Sequence, residues 1–180
     1  KLAEARTASG TESMAARELV IKSDFKGALG KIKPLRETNM AEDLRPRIER
    51  RILELERCAR FKESLINAIK NKGSQPSRFK LDIDAQSFAG LEGTIEDADD
   101  RSIQIRLSAG GLVNHLWTQF DPVQFHKFVT DQWKYSKEQR RDITDQNDLA
   151  AVCMEFGLYE RALEANKAAQ DLMSDPVAQF

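Results

Sequence analysis

The amino-acid sequence predicts an α+β protein: a helical N-terminal segment with one long helix, a small antiparallel sheet, and a C-terminal helical hairpin. Three observations carry this. Apolar residues recur every three or four positions through most of the first 72 residues. That spacing gives way to alternation after "NKGSQPS" at 71–77. It returns after the pair Asp121-Pro122. A helix repeats its faces every 3.6 residues and a strand every two, so a change of period marks a change of element. Three segments follow: 1–76 helical, 77–120 a small β domain, and 121–180 helical again. The 180 residues are enough for one domain or two small ones.

Residues 1–11 lack an apolar stripe and read as a frayed start. Met14, Ala15 and Leu19 begin a helix that stops before Ser23. Asp24 is placed to cap a second helix over 25–36, which carries Ala28, Leu29, Ile32 and Leu35. Pro34 lacks an N–H and should end or kink that helix. After a break at 39–41 comes a long helix over about 41–72. It starts close to Asp43, because Pro46 is tolerated only in a first turn. Its stripe is Leu44, Ile48, Ile52, Leu55, Ala59, Leu65, Ile66 and Ile69. Arginines from Arg45 to Arg60 alternate with glutamates on the other face. Pairs such as Arg50–Glu54 and Glu56–Arg60 stand four apart, which reads as a solvated, self-paired face.

Gly73 and Pro76 close the long helix. Phe79, Leu81 and Ile83 then alternate with polar residues in a first strand, and 91–96 forms a second. Asp97-Ala98-Asp99-Asp100 is a solvated turn. Ile103, Ile105 and Leu107 mark a third strand, Gly110-Gly111 a turn, and 112–117 a fourth. Short strands so closely spaced suggest a small barrel or curled sheet. Asp121-Pro122 opens a helix faced by Phe125, Phe128, Val129 and Trp133. Residues 135–146 read as polar linker or helix end, and a helix over about 148–156 follows.

Composition excludes several classes. The 28 basic and 29 acidic residues leave a net charge of -1, which gives little general pull toward nucleic acid or an anionic membrane. No apolar run approaches the ~20 residues that a membrane-spanning helix needs. Cys58 and Cys153 lie in apolar patterns and read as small buried side chains, with a disulfide between them left open. His115 and His126 are isolated and read as surface or rim residues without metal-ligand spacing. "DADD" lacks the alternate spacing and distal glutamate of a calcium loop. No phosphate-binding loop, nucleophile elbow or zinc-protease motif is present. The reading is therefore not an enzyme, with no cofactor and no metal. Lys1 in place of Met reads as a processed or excised start, and the compartment stays open, cytoplasmic by default.

The stretch "LAAVCMEFGLYERALEANKAAQDL" at 149–172 places Ala150 and Ala162 where two antiparallel helices cross. Gly157 sits at the turn, Tyr159 just beyond it, and Ala169 and Leu172 further on. Over 146–174 this resembles a tetratricopeptide repeat. It departs in having Asn166 where that family has an aromatic, and Pro176 two residues late. A fainter copy has Ala15-Ala16 for Leu149-Ala150, Phe25 and Ala28 for Tyr159 and Ala162, and Leu35 for Ala169. The sheet is similar to SH3-like β modules that stand beside such helices in long bacterial multidomain proteins, planctomycete-type ones included. The carriers are Gly93, Ile103/Ile105/Leu107, Gly110-Gly111, Trp117 and Asp121-Pro122.

These resemblances imply a non-catalytic protein-interaction or scaffold segment of a larger polypeptide. The expected partner is a protein, a peptide or a second copy of this chain, with no nucleic acid and no membrane span. Trp117 and Phe120 are candidates for lining a peptide groove, with core packing against the Phe125/Phe128 helix as the other reading of Trp117. Asn147, Ala151 and Glu155 are the expected outward positions of the hairpin's first helix. Leu149, Val152, Phe156, Tyr159 and Leu163 form its expected apolar patch. Two rival readings are a nucleic-acid module, using the β barrel and the Arg45–Arg60 face, and an accessory domain of an enzyme whose catalytic part lies outside this chain.

Overall fold

The computed structural model describes residues 2–36, 44–70, 78–81, 91–107, 109–135 and 143–174. Helices dominate both ends and an antiparallel sheet lies between them in sequence, so the chain is α+β. The helices are α1 (Leu2–Ile21), α2 (Phe25–Ile32), α3 (Arg45–Lys70), α4 (Pro122–Tyr135), α5 (Ile143–Glu155) and α6 (Tyr159–Ser174). The strands are β1 (Arg78–Leu81), β2 (Leu91–Ala98), β3 (Ser102–Leu107) and β4 (Leu112–Leu116).

The chain forms two compact units, and their limits differ from the three segments read in the sequence. One unit is Lys1–Phe61 with Arg141–Phe180; the other is Lys62–Arg140. Helix α3 is divided between them, and α4 belongs with the sheet.

The first unit holds two helical hairpins. Of the frayed start expected over 1–11, residues 2–11 are helical backbone instead, because alanine, leucine, arginine and glutamate sustain a helix without an apolar stripe. The stripe of α1 is also corrected. Ala16 and Val20 are buried, whereas Met14 is exposed. Asp24 caps α2 as expected, its Oδ1 accepting from the Gly27 N–H at 2.9 Å. The helix stops at Ile32, two residues before Pro34, and a 3-10 turn continues to Arg36. Phe25, Ala28, Leu29, Ile32 and Leu35 are all buried. Ile48, Ile52, Leu55 and Cys58 bury one face of the first part of α3. The expected start of α3 near Asp43 lies outside the described residues.

Helices α5 and α6 meet through small residues: Ala150, Ala162, Ala165 and Ala169 are buried. Gly157 adopts φ +73° between them. The Leu158 N–H donates to the Cys153 carbonyl at 2.8 Å and the Gly157 N–H to that of Met154 at 3.1 Å. This pair of bonds satisfies the last carbonyls of α5 through a left-handed residue. Helix α5 starts at Ile143, earlier than the polar sequence suggests. Gln146 and Asp148 on its inner side are buried polar residues, which hides the helix from any count of apolar positions.

In the second unit the sheet is a four-stranded antiparallel meander, β1-β2-β3-β4. Its registers pair Phe79 with Gly93, Ile95 with Ile105 and Ile103 with His115, and β2 bulges between Ile95 and Asp97. Gly93 is required by close approach: a Cβ there would meet the Arg106 carbonyl oxygen at 2.3 Å. Among the described strands β4 is hydrogen-bonded on one side only, so they form an open sheet rather than a closed barrel. Asp121 and Gln124 cap α4 reciprocally, at 2.8 and 3.3 Å.

Candidate functional site

The candidate residues fall into two groups, one in each unit. In the sheet unit, Trp117 and Phe120 are core. Trp117 is 1% exposed. Its ring lies 5.9 Å from Phe120, 6.1 Å from Phe125 and 6.0 Å from Phe128. The structure thus places both aromatics in the packing arrangement, with no face turned to solvent for a peptide. The indole N–H donates to the Asp99 carbonyl at 2.6 Å. Lys62 is buried, stands 5.3 Å from the centre of the Trp117 ring and donates to the Asp100 carbonyl at 2.8 Å.

The "DADD" segment is solvated as expected, with Asp97, Asp99 and Asp100 exposed, and is anchored as well through the carbonyls of Asp99 and Asp100. The Asp99 carboxylate accepts the N–H groups of Ser102 at 2.7 Å and Arg101 at 2.8 Å. These bonds hold its pKa below the usual carboxylate value.

His115 is a second correction. It is 7% exposed rather than a rim residue, packs edge-on against Phe120 at 4.6 Å, and its Nε2 has no hydrogen-bond partner among the described residues. Burial lowers its pKa. A lone histidine in a strand carries no mark of burial, yet His115 stands at the sheet position opposite Ile103 that an apolar residue would ordinarily fill.

In the hairpin unit, the expected apolar patch divides. Leu149 and Val152 are buried. The Phe156 ring packs at 6.1 Å on Phe25. Tyr159 and Leu163 remain exposed, joined by Met154, which the sequence reading did not single out. The expected outward positions are also corrected. Asn147 and Ala151 are half-buried, and Glu155 binds Arg51 of α3. Two turns earlier, Asp148 accepts from Nε and Nη2 of the Arg60 guanidinium, at 2.6 and 2.7 Å.

Those ion pairs revise the self-paired reading of the arginine face in part: Arg51 keeps Glu54 of its own helix at 3.6 Å as well as meeting Glu155. Arg51 and Arg60 reach across to α5, and Glu56 pairs with Lys33 at 2.9 Å. The hydrogen bond to Asp148 raises the Arg60 pKa. Asp148 was missed because a carboxylate reads as surface. Its only signal is a lone acid on the apolar side of a helix, opposite a basic one.

Chemically, neither group offers a reacting constellation. Cys58 and Cys153 are free and buried, as expected for small core side chains. Burial pushes the Cys58 thiol far up and the Cys153 thiol up to about 12, so both stay protonated at neutral pH. Among the described residues no group of three or more His, Cys, Asp or Glu is placed to hold a metal ion. Among them, too, no helix is long and apolar enough to cross a membrane. Comparison with protein-family models, curated proteins and solved structures found no match.

Proposed function

We propose that the chain is a non-catalytic protein-interaction or scaffold segment of a larger polypeptide. The observation that carries this reading is the last hairpin. Met154, Tyr159 and Leu163, all large and apolar, stand exposed on one hairpin whose inner face is already packed. Exposed apolar side chains gathered in one place mark interaction surfaces more often than isolated ones do. The resemblance to tetratricopeptide hairpins agrees with this role, since such hairpins work by presenting packed helical surfaces.

The nucleic-acid reading has less support. Two of its arginines, Arg51 and Arg60, already bind Glu155 and Asp148, and the net charge is -1.

The test is affinity capture with the full chain from cells that express it, with random-sequence oligonucleotides as a parallel bait. A protein retained at a stable stoichiometry is expected. Retention of the oligonucleotides with a steep salt dependence, and of no protein, would replace this reading with the nucleic-acid one.

A further inference from the structure

The two hairpins superimpose in sequence through their turns. Setting Ser23 on Gly157 brings Val20 to Met154, Phe25 to Tyr159, Leu29 to Leu163 and Ile32 to Asn166. In the first hairpin this stripe is core: Phe25 and Ile32 are each 1% exposed. Phe25 is met there by Phe156, at the end of α5. In the last hairpin the same stripe is open, with Tyr159 67% and Leu163 71% exposed. Helix α6 extends it through Asn166, Gln170 and Met173, also exposed. At about 100° per residue these five positions share one side of α6, and Glu160, Glu164, Lys167 and Asp171 lie away from it.

We infer that this stripe is the docking face for a helix of a partner protein, which meets α6 at Tyr159 as Phe156, at the end of α5, meets Phe25 of α2. The inference rests on the interaction role proposed above and names its surface and partner. The covered copy of the stripe shows what fits. An apolar or aromatic side chain must meet Tyr159 and Leu163, as Phe156 meets Phe25. An amide or hydroxyl must face Asn166 and Gln170, because a buried amide left without a partner is costly.

A second copy of this chain supplies no such helix by simple repetition. The edge of α5 that ends in Phe156 already meets Phe25 of the same chain. Its counterpart in the first hairpin, α1, has Glu18 and Lys22 in the places of Val152 and Phe156. Both are exposed and charged, and burying them against an apolar stripe would cost their solvation.

The probe is a synthetic peptide of residues 143–158 carrying Cys153→Ser, the segment that covers Phe25 in the intact chain. It is titrated into the isotopically labelled full chain. Saturable amide shifts along α6 are expected. Leu163→Glu should weaken binding by about tenfold or more. Tyr159→Ser should weaken it too, and both variants should melt like the parent because both positions are exposed. Absence of saturable shifts, or shifts indifferent to Leu163→Glu, would overturn the inference. So would a concentration-dependent dimer that Leu163→Glu dissolves, which would give the face to a second copy. A captured protein that still binds the Leu163→Glu chain would leave the interaction role standing and remove only this surface. Failure of both capture and peptide binding would remove both.

Discussion

Between α1 and α2 the chain reverses on Ser23, at φ +56°; between α5 and α6 it reverses on Gly157, at φ +73°. The bonds that close the two turns are the same. Asp24 donates to Leu19 and Ser23 to Val20, both at 2.8 Å, as Leu158 donates to Cys153 and Gly157 to Met154. Both hairpins bury an alanine on each side of the crossing, Ala16 with Ala28 and Ala150 with Ala162. They part company on the outer stripe. Phe25, Leu29 and Ile32 are core, whereas Tyr159, Leu163 and Asn166 are open. The difference teaches that turn geometry and small crossing residues make the hairpin. The larger side chains on its flank decide what it meets, and that second layer varies without disturbing the first.

The largest expected effect tests this division directly. Phe25→Ala removes a fully buried ring from contact with Phe156 and should cost about 3–5 kcal/mol. Tyr159→Ala, at the equivalent place, should change stability by less than about 0.5 kcal/mol. Urea melts followed by circular dichroism measure both. A cost at Tyr159 approaching that at Phe25 would mean that the two flanks are alike in solution and the comparison fails.

A middle-sized effect separates both hairpins from the sheet unit. His115 and His126 are the only histidines, and both lie in the sheet unit, as do Trp117 and Trp133. Burial depresses the His115 pKa in the folded state. The unfolded chain, with a histidine near its ordinary pKa of about 6.5, then binds the proton more readily. Stability from this source is full above that pH and is lost as pH falls below it, by up to about 1.4 kcal/mol per pH unit. The corresponding loss for Asp99, whose pKa is also lowered, comes only as pH falls below about 4. Between pH 7 and pH 5, tryptophan fluorescence should report a weakening sheet unit, and His115→Leu should flatten that dependence. An unchanged slope in the variant would show that His115 does not control it.

Much of the fold was legible because periodicity reports burial. The Phe25–Leu35 stripe, the Ile48–Leu55 stripe, the alternation of Ile103 and Ile105, and the cap at Asp121 all expose their patterns in single segments. What stayed hidden depended on partners distant in sequence. Asp148 is buried only because Arg60 reaches it, and His115 only because Phe120 and its neighbours close around it. The candidate site was half legible for the same reason. The pattern located an apolar stretch from Leu149 to Leu163, but periodicity gives no information on which side a neighbouring helix lies. Leu149 and Val152 went to the core while Tyr159 and Leu163 stayed out. The internal likeness of the two hairpins was the more useful signal, because it compares a covered stripe with an open one.

The smallest expected effect examines the layer that the hairpins share. A left-handed residue closes each turn, and glycine alone adopts that conformation without a Cβ penalty. At Gly157 an added Cβ would meet nothing within 4 Å, so Gly157→Ser tests backbone preference without a clash. It should cost about 1 kcal/mol, a few degrees in Tm. The reverse exchange, Ser23→Gly, relieves the same penalty but removes a side chain that is buried in the first turn. The two contributions oppose each other, and the net change should stay within about 0.5 kcal/mol. If Gly157→Ser were neutral while Ser23→Gly cost more than about 1 kcal/mol, the turns would not be equivalent. The first would depend on its buried hydroxyl rather than on the shared backbone bonds. The alignment that sets Phe25 on Tyr159 would then lose its anchor. Equal and opposite backbone terms, with the side-chain term confined to Ser23, are what one turn used twice requires.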